Sequence, residues 1–102
     1  MPPLSGLQRD VFAMYRRALR MAARKDPAKR ADWTTFIRYT FRTRATSVGP
    51  RDIGAIEYLL RQGRKQLELY ESPSVRDCSV TSEMHAWEEG RRRRWRNEEE
   101  SR

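Results

Sequence analysis

Apolar residues recur at intervals of three and four in three stretches of the chain, and prolines separate the stretches. In the first, about residues 7–25, a helical wheel places Leu7, Val11, Met14, Tyr15, Ala18, Leu19, Met21 and Ala22 on one side. Arg9, Arg16, Arg17, Arg20 and Arg24 fall on the other. Pro2 and Pro3 precede this helix and Ser5 is placed to cap it. Asp26-Pro27 ends it, because a residue before proline resists the α region. In the second stretch, about 32–45, Trp33, Phe36, Ile37, Thr40 and Phe41 repeat at helical spacing, with Asp32 as the expected N-cap. Its β-branched and aromatic content would also suit a strand, but the spacing favours a helix. In the third, about 50–71, the stripe is Ile53, Ile56, Leu59, Leu60, Gly63, Leu67 and Tyr70. Pro50 suits the first helical position and Asp52 the first turn. Glu57 with Arg61, and Arg64 with Glu68, are spaced to pair across one turn on the wet side.

The pattern then changes. Residues 74–82 have no periodicity, and Pro73 marks the break. Residues 84–100 suit an exposed helix or a disordered segment, with Trp87 and Trp95 as its only large apolar residues after Met84. It carries Arg91-Arg92-Arg93-Arg94-Trp95-Arg96 and then Glu98-Glu99-Glu100. No internal repeat of domain length occurs. The expected architecture is all-α: a small antiparallel three-helix bundle over residues 1–76, with a charged, partly disordered or helical C-terminal tail over 77–102.

Composition narrows the class. A chain of 102 residues supports one domain with a small core. There are 22 Lys+Arg against 14 Asp+Glu, a net charge of +8. Residues 83–102 are neutral, so the excess belongs to the helical body. Nineteen of the cations are Arg and three are Lys. Arg suits bidentate contact with carboxylate or phosphate, so an acidic partner is one reading and a solvated charged face is the other. A single cysteine, Cys78, excludes a disulfide framework, and a single histidine, His85, excludes paired-His zinc motifs. With Glu83 nearby these make too few ligands for a metal site. No phosphate-binding or dinucleotide glycine motif occurs, and no apolar run is long enough to span a membrane. The chain reads as a basic binding protein without its own cofactor or metal, and not as an enzyme. A nucleic-acid reading would use the Arg faces and the tail, but the aromatics needed for base stacking are mostly committed to the core. No nucleic-acid partner is expected.

Within this frame a few residues stand out. Met14-Tyr15-Arg16 sets an aromatic and a guanidinium side by side at the edge of a helix face, where they could serve one partner or merely border the core. Arg38, Arg42, Arg61, Arg64 and Lys65 continue the cationic character. Gly63, inside the apolar stripe of the third helix, permits close approach of another helix or of a ligand.

The segment Leu7-Gln8-Arg9-Asp10-Val11-Phe12-Ala13-Met14-Tyr15-Arg16-Arg17 resembles the opening of the LYR-motif family of mitochondrial proteins. Phe41-Arg42 resembles the family's recurring Phe downstream. The segment Ile56-Glu57-Tyr58-Leu59-Leu60-Arg61-Gln62-Gly63-Arg64-Lys65-Gln66-Leu67-Glu68 is similar to the branch that assembles succinate dehydrogenase. The resemblance covers about residues 5–76. It implies a three-helix fold in the mitochondrial matrix, without catalysis. It also implies a role in escorting the iron-sulfur subunit of succinate dehydrogenase and promoting or protecting cluster insertion, together with iron-sulfur transfer chaperones. Many relatives also dock acyl carrier protein, whose acyl chain enters the bundle, so an adaptor built around that carrier is the alternative. The partner-binding residues implied are Met14, Tyr15, Arg16, Phe41, Leu59, Leu60, Arg61, Gly63, Arg64 and Lys65. Met14 stands where the family has Leu, which conserves volume and apolarity. Leu59-Leu60-Arg61 stands where the branch can show a second tripeptide, but without its Tyr. The basic amphipathic N-terminal stretch also looks like a mitochondrial presequence, which here would be retained as part of the bundle.

Overall fold

The computed structural model describes residues 6–100. They form four helices: α1 (Gly6–Ala23), α2 (Arg30–Ser47), α3 (Ile53–Tyr70) and α4 (Ser82–Glu100), with no strand among the described residues. The three periodic stretches are the first three helices. Ser5, Pro2 and Pro3, expected to cap or bound the first helix, lie outside the described residues. The three-helix architecture is corrected to four. The charged segment after Pro73 contains a full helix, and α4 packs against α2.

Two helix starts also differ from expectation. Asp32 does not cap α2 but lies in its first turn, where its charge complements the helix dipole. Lys29 occupies the N-cap position without a side-chain cap, because a turn closed by Lys29 N–H to the Asp26 carbonyl (2.7 Å) already directs the chain into the helix. Pro50 does not open α3. It follows Gly49 in a turn closed by Asp52 N–H to the Gly49 carbonyl (3.1 Å), a position that suits the fixed φ of proline. Asp52 is the N-cap, and its carboxylate accepts the Ala55 N–H at 3.1 Å.

α1 packs against both α2 and α3. The core they share is built from Ala18, Met21 and Ala22 of α1, Trp33 and Ile37 of α2, and Leu67 of α3. The two buried alanines keep α1 narrow on its inner face, so larger side chains from its neighbours close over it. Val75 and Cys78, from the segment after α3, pack against the same core. That segment is tied down by polar contacts. The Trp33 indole N–H donates to the Arg76 carbonyl at 2.9 Å. The Lys25 ammonium lies 4.9 Å from the Trp33 ring centroid and donates to the carbonyls of Tyr70 (2.6 Å), Ser72 (3.4 Å) and Val75. A cation there satisfies carbonyls left open at the end of α3 and opposes the negative end of its dipole.

Arg17, read as part of a solvent face, forms a forked pair with Glu71 instead, at 3.0 Å from Nε and 2.6 Å from Nη2. Geometry of this kind is the strong form of the Arg–carboxylate contact. It joins the middle of α1 to the end of α3. The hydrogen bond from Arg17, offset in part by burial, holds the Glu71 carboxyl below its ordinary value of 4.5.

Two outcomes follow for stability. Lys25→Met keeps the stem but removes the shared donor, and should cost about 1.5–3 kcal/mol in urea unfolding with helix content unchanged. A loss below about 0.5 kcal/mol would remove the ammonium from this role. Glu71 has its folded value lowered, so its contribution is complete above the ordinary carboxylate value and is lost as pH falls through the folded one. Glu71→Gln should therefore lower stability at neutral pH and flatten the acid side of the stability–pH curve, measured by thermal melts from pH 7 to pH 3.

Candidate functional site

The apolar faces of α2 and α3 meet α1 around a groove of about 510 Å³, within the size range of ligand pockets. α1 supplies Val11, Met14 and Ala18; α2 supplies Phe36, Ile37, Thr40, Phe41, Arg44 and Ala45; α3 supplies Ile56, Leu59, Leu60, Gly63, Gln66, Leu67 and Tyr70. The connector Val48-Gly49-Pro50 borders one end. Gln8 of α1 completes the lining, which is mainly aliphatic and aromatic; among the described residues it carries no carboxylate and has Arg44 as its one cation.

The residues singled out from sequence separate into two sets. Met14, Phe41, Leu59, Leu60 and Gly63 all line the groove. Met14 lies against Gly63: a Cβ added at Gly63 would meet the Met14 Cε at 2.8 Å and its Sδ at 3.0 Å. The glycine therefore serves the close approach of α1 to α3, and its cost as a helix residue is offset there. Tyr15 stands beside this pair. Its ring is 5.0 Å from that of Phe41, tilted by 57°, and it borders the core between α1 and α2. The charged members point elsewhere. Arg16 of α1 and Arg61, Arg64 and Lys65 of α3 are exposed.

The helix pairs expected to neutralise two of these cations, Glu57 with Arg61 and Arg64 with Glu68, do not close among the described residues. Exposed pairs of this kind gain little over solvation, so nothing compels them to form. The α3 cations remain available. The outer face of α3 also exposes Tyr58 and Leu69, with the Tyr58 hydroxyl accepting from Gln62 at 2.6 Å.

The family resemblance implies a bundle that admits an acyl chain, but the residue pattern by itself does not show the groove as an opening. It placed Ile37, Ile56 and Leu67 in a core stripe, and nothing in periodicity separates a face that closes from one that stays apart. It also missed Arg38, which reaches Glu88 of α4 at 3.5 Å. Among the described residues no cluster of three His, Cys, Asp or Glu could hold a metal ion. Burial first, then Asp32 and Asp77, push the Cys78 thiol up to about 11, so it stays protonated and poorly nucleophilic near neutral pH. No described helix is long and apolar enough to cross a membrane.

With this geometry in view, comparison with known proteins is informative. The family described as Complex 1 protein (LYR family) matches residues 9–69, which takes in most of α1, all of α2 and nearly all of α3. The chain belongs to the LYR family. Within it, the chain is similar to the mitochondrial succinate dehydrogenase assembly factor 1 of Schizosaccharomyces pombe, 43% identical over 72% of this chain and 92% of that protein. It is similar to the mitochondrial succinate dehydrogenase assembly factor 1A of Dictyostelium discoideum, 39% identical over 74% of this chain and 85% of the relative. The mitochondrial succinate dehydrogenase assembly factor 1 of Mus musculus is 44% identical over 67% of this chain and 52% of its own length. No solved structure matches the chain. The family match holds the groove-lining residues of α1 and α3 except Gln8 and Tyr70, together with the exposed α3 cations, and it ends before α4.

The Met14–Gly63 contact makes a size-dependent outcome. Gly63→Ala pushes only on the flexible end of Met14 and gains roughly 1 kcal/mol of helix propensity, so stability should stay within about 1 kcal/mol of the parent. Gly63→Phe should cost about 1–3 kcal/mol by forcing α1 from α3. Equal losses for the two, measured by denaturant unfolding, would place the contact outside the packing of α1 on α3.

Proposed function

We propose that this LYR protein is a non-enzymatic assembly factor for succinate dehydrogenase in the mitochondrial matrix. In this reading it binds the enzyme's iron-sulfur subunit before that subunit joins the rest of the complex, and promotes or protects insertion of its clusters. Support for the assembly role comes from relatives whose names carry it over nearly the length of their chains. Support for the docking side comes from the chain itself: Arg61, Arg64 and Lys65 are exposed on one helix, with no ion pair among the described residues. Cations held on a rigid helix, with Tyr58 and Leu69 exposed on the same helix, suit an acidic surface with apolar spots. Arg16 is a further exposed cation, on α1. A chain with one Cys and one His cannot hold an iron-sulfur cluster alone, so in this reading the cluster ligands come from the client. Iron-sulfur transfer chaperones are the further partners this role requires.

The apolar groove favours a second partner within the same fold. Its volume, its aliphatic lining and the lone Arg44 fit the acyl chain of a charged carrier, the alternative in which an acylated acyl carrier protein docks on the bundle. Native mass spectrometry of the purified complex separates the two partners by mass.

The decisive variant is Arg61→Glu. It should leave the circular dichroism spectrum unchanged and reduce capture of the succinate dehydrogenase iron-sulfur subunit from gently lysed mitochondria by at least tenfold. Undiminished capture at moderate salt would overturn the assignment of this face to the client. Failure of the parent protein to retain the subunit at all would overturn the function.

A further inference from the structure

α4 is attached differently from the other helices. None of its side chains belongs to the core cluster around Trp33, or to the groove. Its contact with the bundle is one aromatic pair, one ionic cluster and a hydrogen bond between Glu83 and the Tyr39 hydroxyl. Trp87 meets Tyr39 of α2 edge-on, with centroids 5.8 Å apart. One helical position later, Glu88 is only 5% exposed. Its carboxylate accepts from Arg91 at 2.9 and 3.3 Å and lies 3.5 Å from Arg38 of α2 and 3.4 Å from Arg92. Arg91 in turn is within electrostatic reach of Tyr15. α4 therefore lies on the stripe of α2 that carries Arg38 and Tyr39, beside the motif tyrosine of α1.

Without α4 that stripe would present a guanidinium, a phenol ring and its hydroxyl. These three groups suit one kind of visitor: a carboxylate with an aromatic ring next to it on a helix. Trp87-Glu88 is such a pair. A contact made of one ring pair, one desolvated carboxylate and the Glu83–Tyr39 hydrogen bond, with Met84 half-buried and no aliphatic side chain of α4 fully buried, opens at lower free energy than the Trp33 core. The partners left behind, Arg38 and Tyr39, are polar enough to be rehydrated. The surrounding helix is the most charged in the chain, with five Arg and six Glu over residues 82–100, so it stays soluble when released.

We propose that the Arg38–Tyr39 stripe beside Tyr15 is a docking site for an acidic, aromatic-bearing helix of a partner protein. In the free chain α4 fills this site in cis, through Trp87 and Glu88, as a displaceable ligand. The tether holds α4 at an effective concentration on the order of millimolar, so only a partner that makes additional contacts elsewhere on the bundle gains the site. The site is separate from both the groove and the α3 cations, and the inference does not depend on the identity of the client.

Two measurements on the full-length chain test this. Hydrogen exchange read by mass spectrometry should show α4 amides exchanging at least a hundredfold faster than those around Trp33. The double variant Trp87→Ala, Glu88→Arg should abolish α4 protection and leave α1–α3 protection intact. Exchange of α4 together with α2 in a single unit would overturn the proposal. In the second, a synthetic peptide of residues 82–100 is added in trans. It should bind the double variant saturably, bind the parent chain at least tenfold more weakly, and lose binding when its own Glu88 is replaced by Gln. Absence of binding to the double variant, equal binding to both chains, or binding that survives Arg38→Ala would overturn it. Should the double variant lose α1–α3 protection, Glu88→Gln alone in the full chain takes its place, with the same outcomes read.

Discussion

Trp33 is 1% exposed, and the groups that fix it come from three parts of the chain. Its N–H needs a buried acceptor and finds one in the Arg76 carbonyl, beyond the end of α3. Its face carries the Lys25 ammonium from the turn between α1 and α2. Its edges meet Phe36 of its own helix and Tyr70 of α3, at 6.1 and 5.4 Å. Because Lys25 also donates to the carbonyls of Tyr70, Ser72 and Val75, one indole and one ammonium lock the α1–α2 turn to the exit of α3. A buried indole left without an acceptor would cost more than the contact contributes, which makes the return of the chain after α3 part of the fold and not an appendage.

Closing the bundle at this end shapes the other. α1 serves both neighbours with small or flexible inner residues, Ala18, Ala22 and Met14, and α3 meets it closely where Gly63 accepts the Met14 side chain. The larger side chains of α2 and α3 then line a groove that runs toward the Val48-Gly49-Pro50 connector instead of closing on each other. The result is an apolar opening in a chain that is otherwise strongly polar.

Charge is sorted by the same geometry. Where the chain folds back on itself, cations find carboxylates: Arg17 takes Glu71, and Arg38 with Arg91 takes Glu88. Where α3 faces outward, Arg61, Arg64 and Lys65 have no ion pair among the described residues. Internal pairing holds elements in place.

The spacing of Leu7 through Ala22, Trp33 through Phe41 and Ile53 through Tyr70 was enough to determine three helices and most of their inner faces, although Ile53, placed in the third stripe, stands 59% exposed at the first position of α3. Amphipathic periodicity is local, and each helix must bury its stripe somewhere. The motif residues Met14-Tyr15-Arg16 and the segment around Gly63 were equally legible, because a family resemblance is written in residue order. Other features depend on which residues distant in sequence arrive at the same place. Arg17 and Lys25 look like solvated cations until Glu71 and the carbonyls after Tyr70 are brought to them. Glu88 looks like one acid in a charged tail until Arg38 closes over it and makes α4 part of the structure. Asp52 and not Pro50 starts α3, because the preceding turn uses the proline. The groove has no signature in spacing at all: an apolar stripe states that a face avoids water, and only the relative placement of three helices decides whether that face is filled or left open.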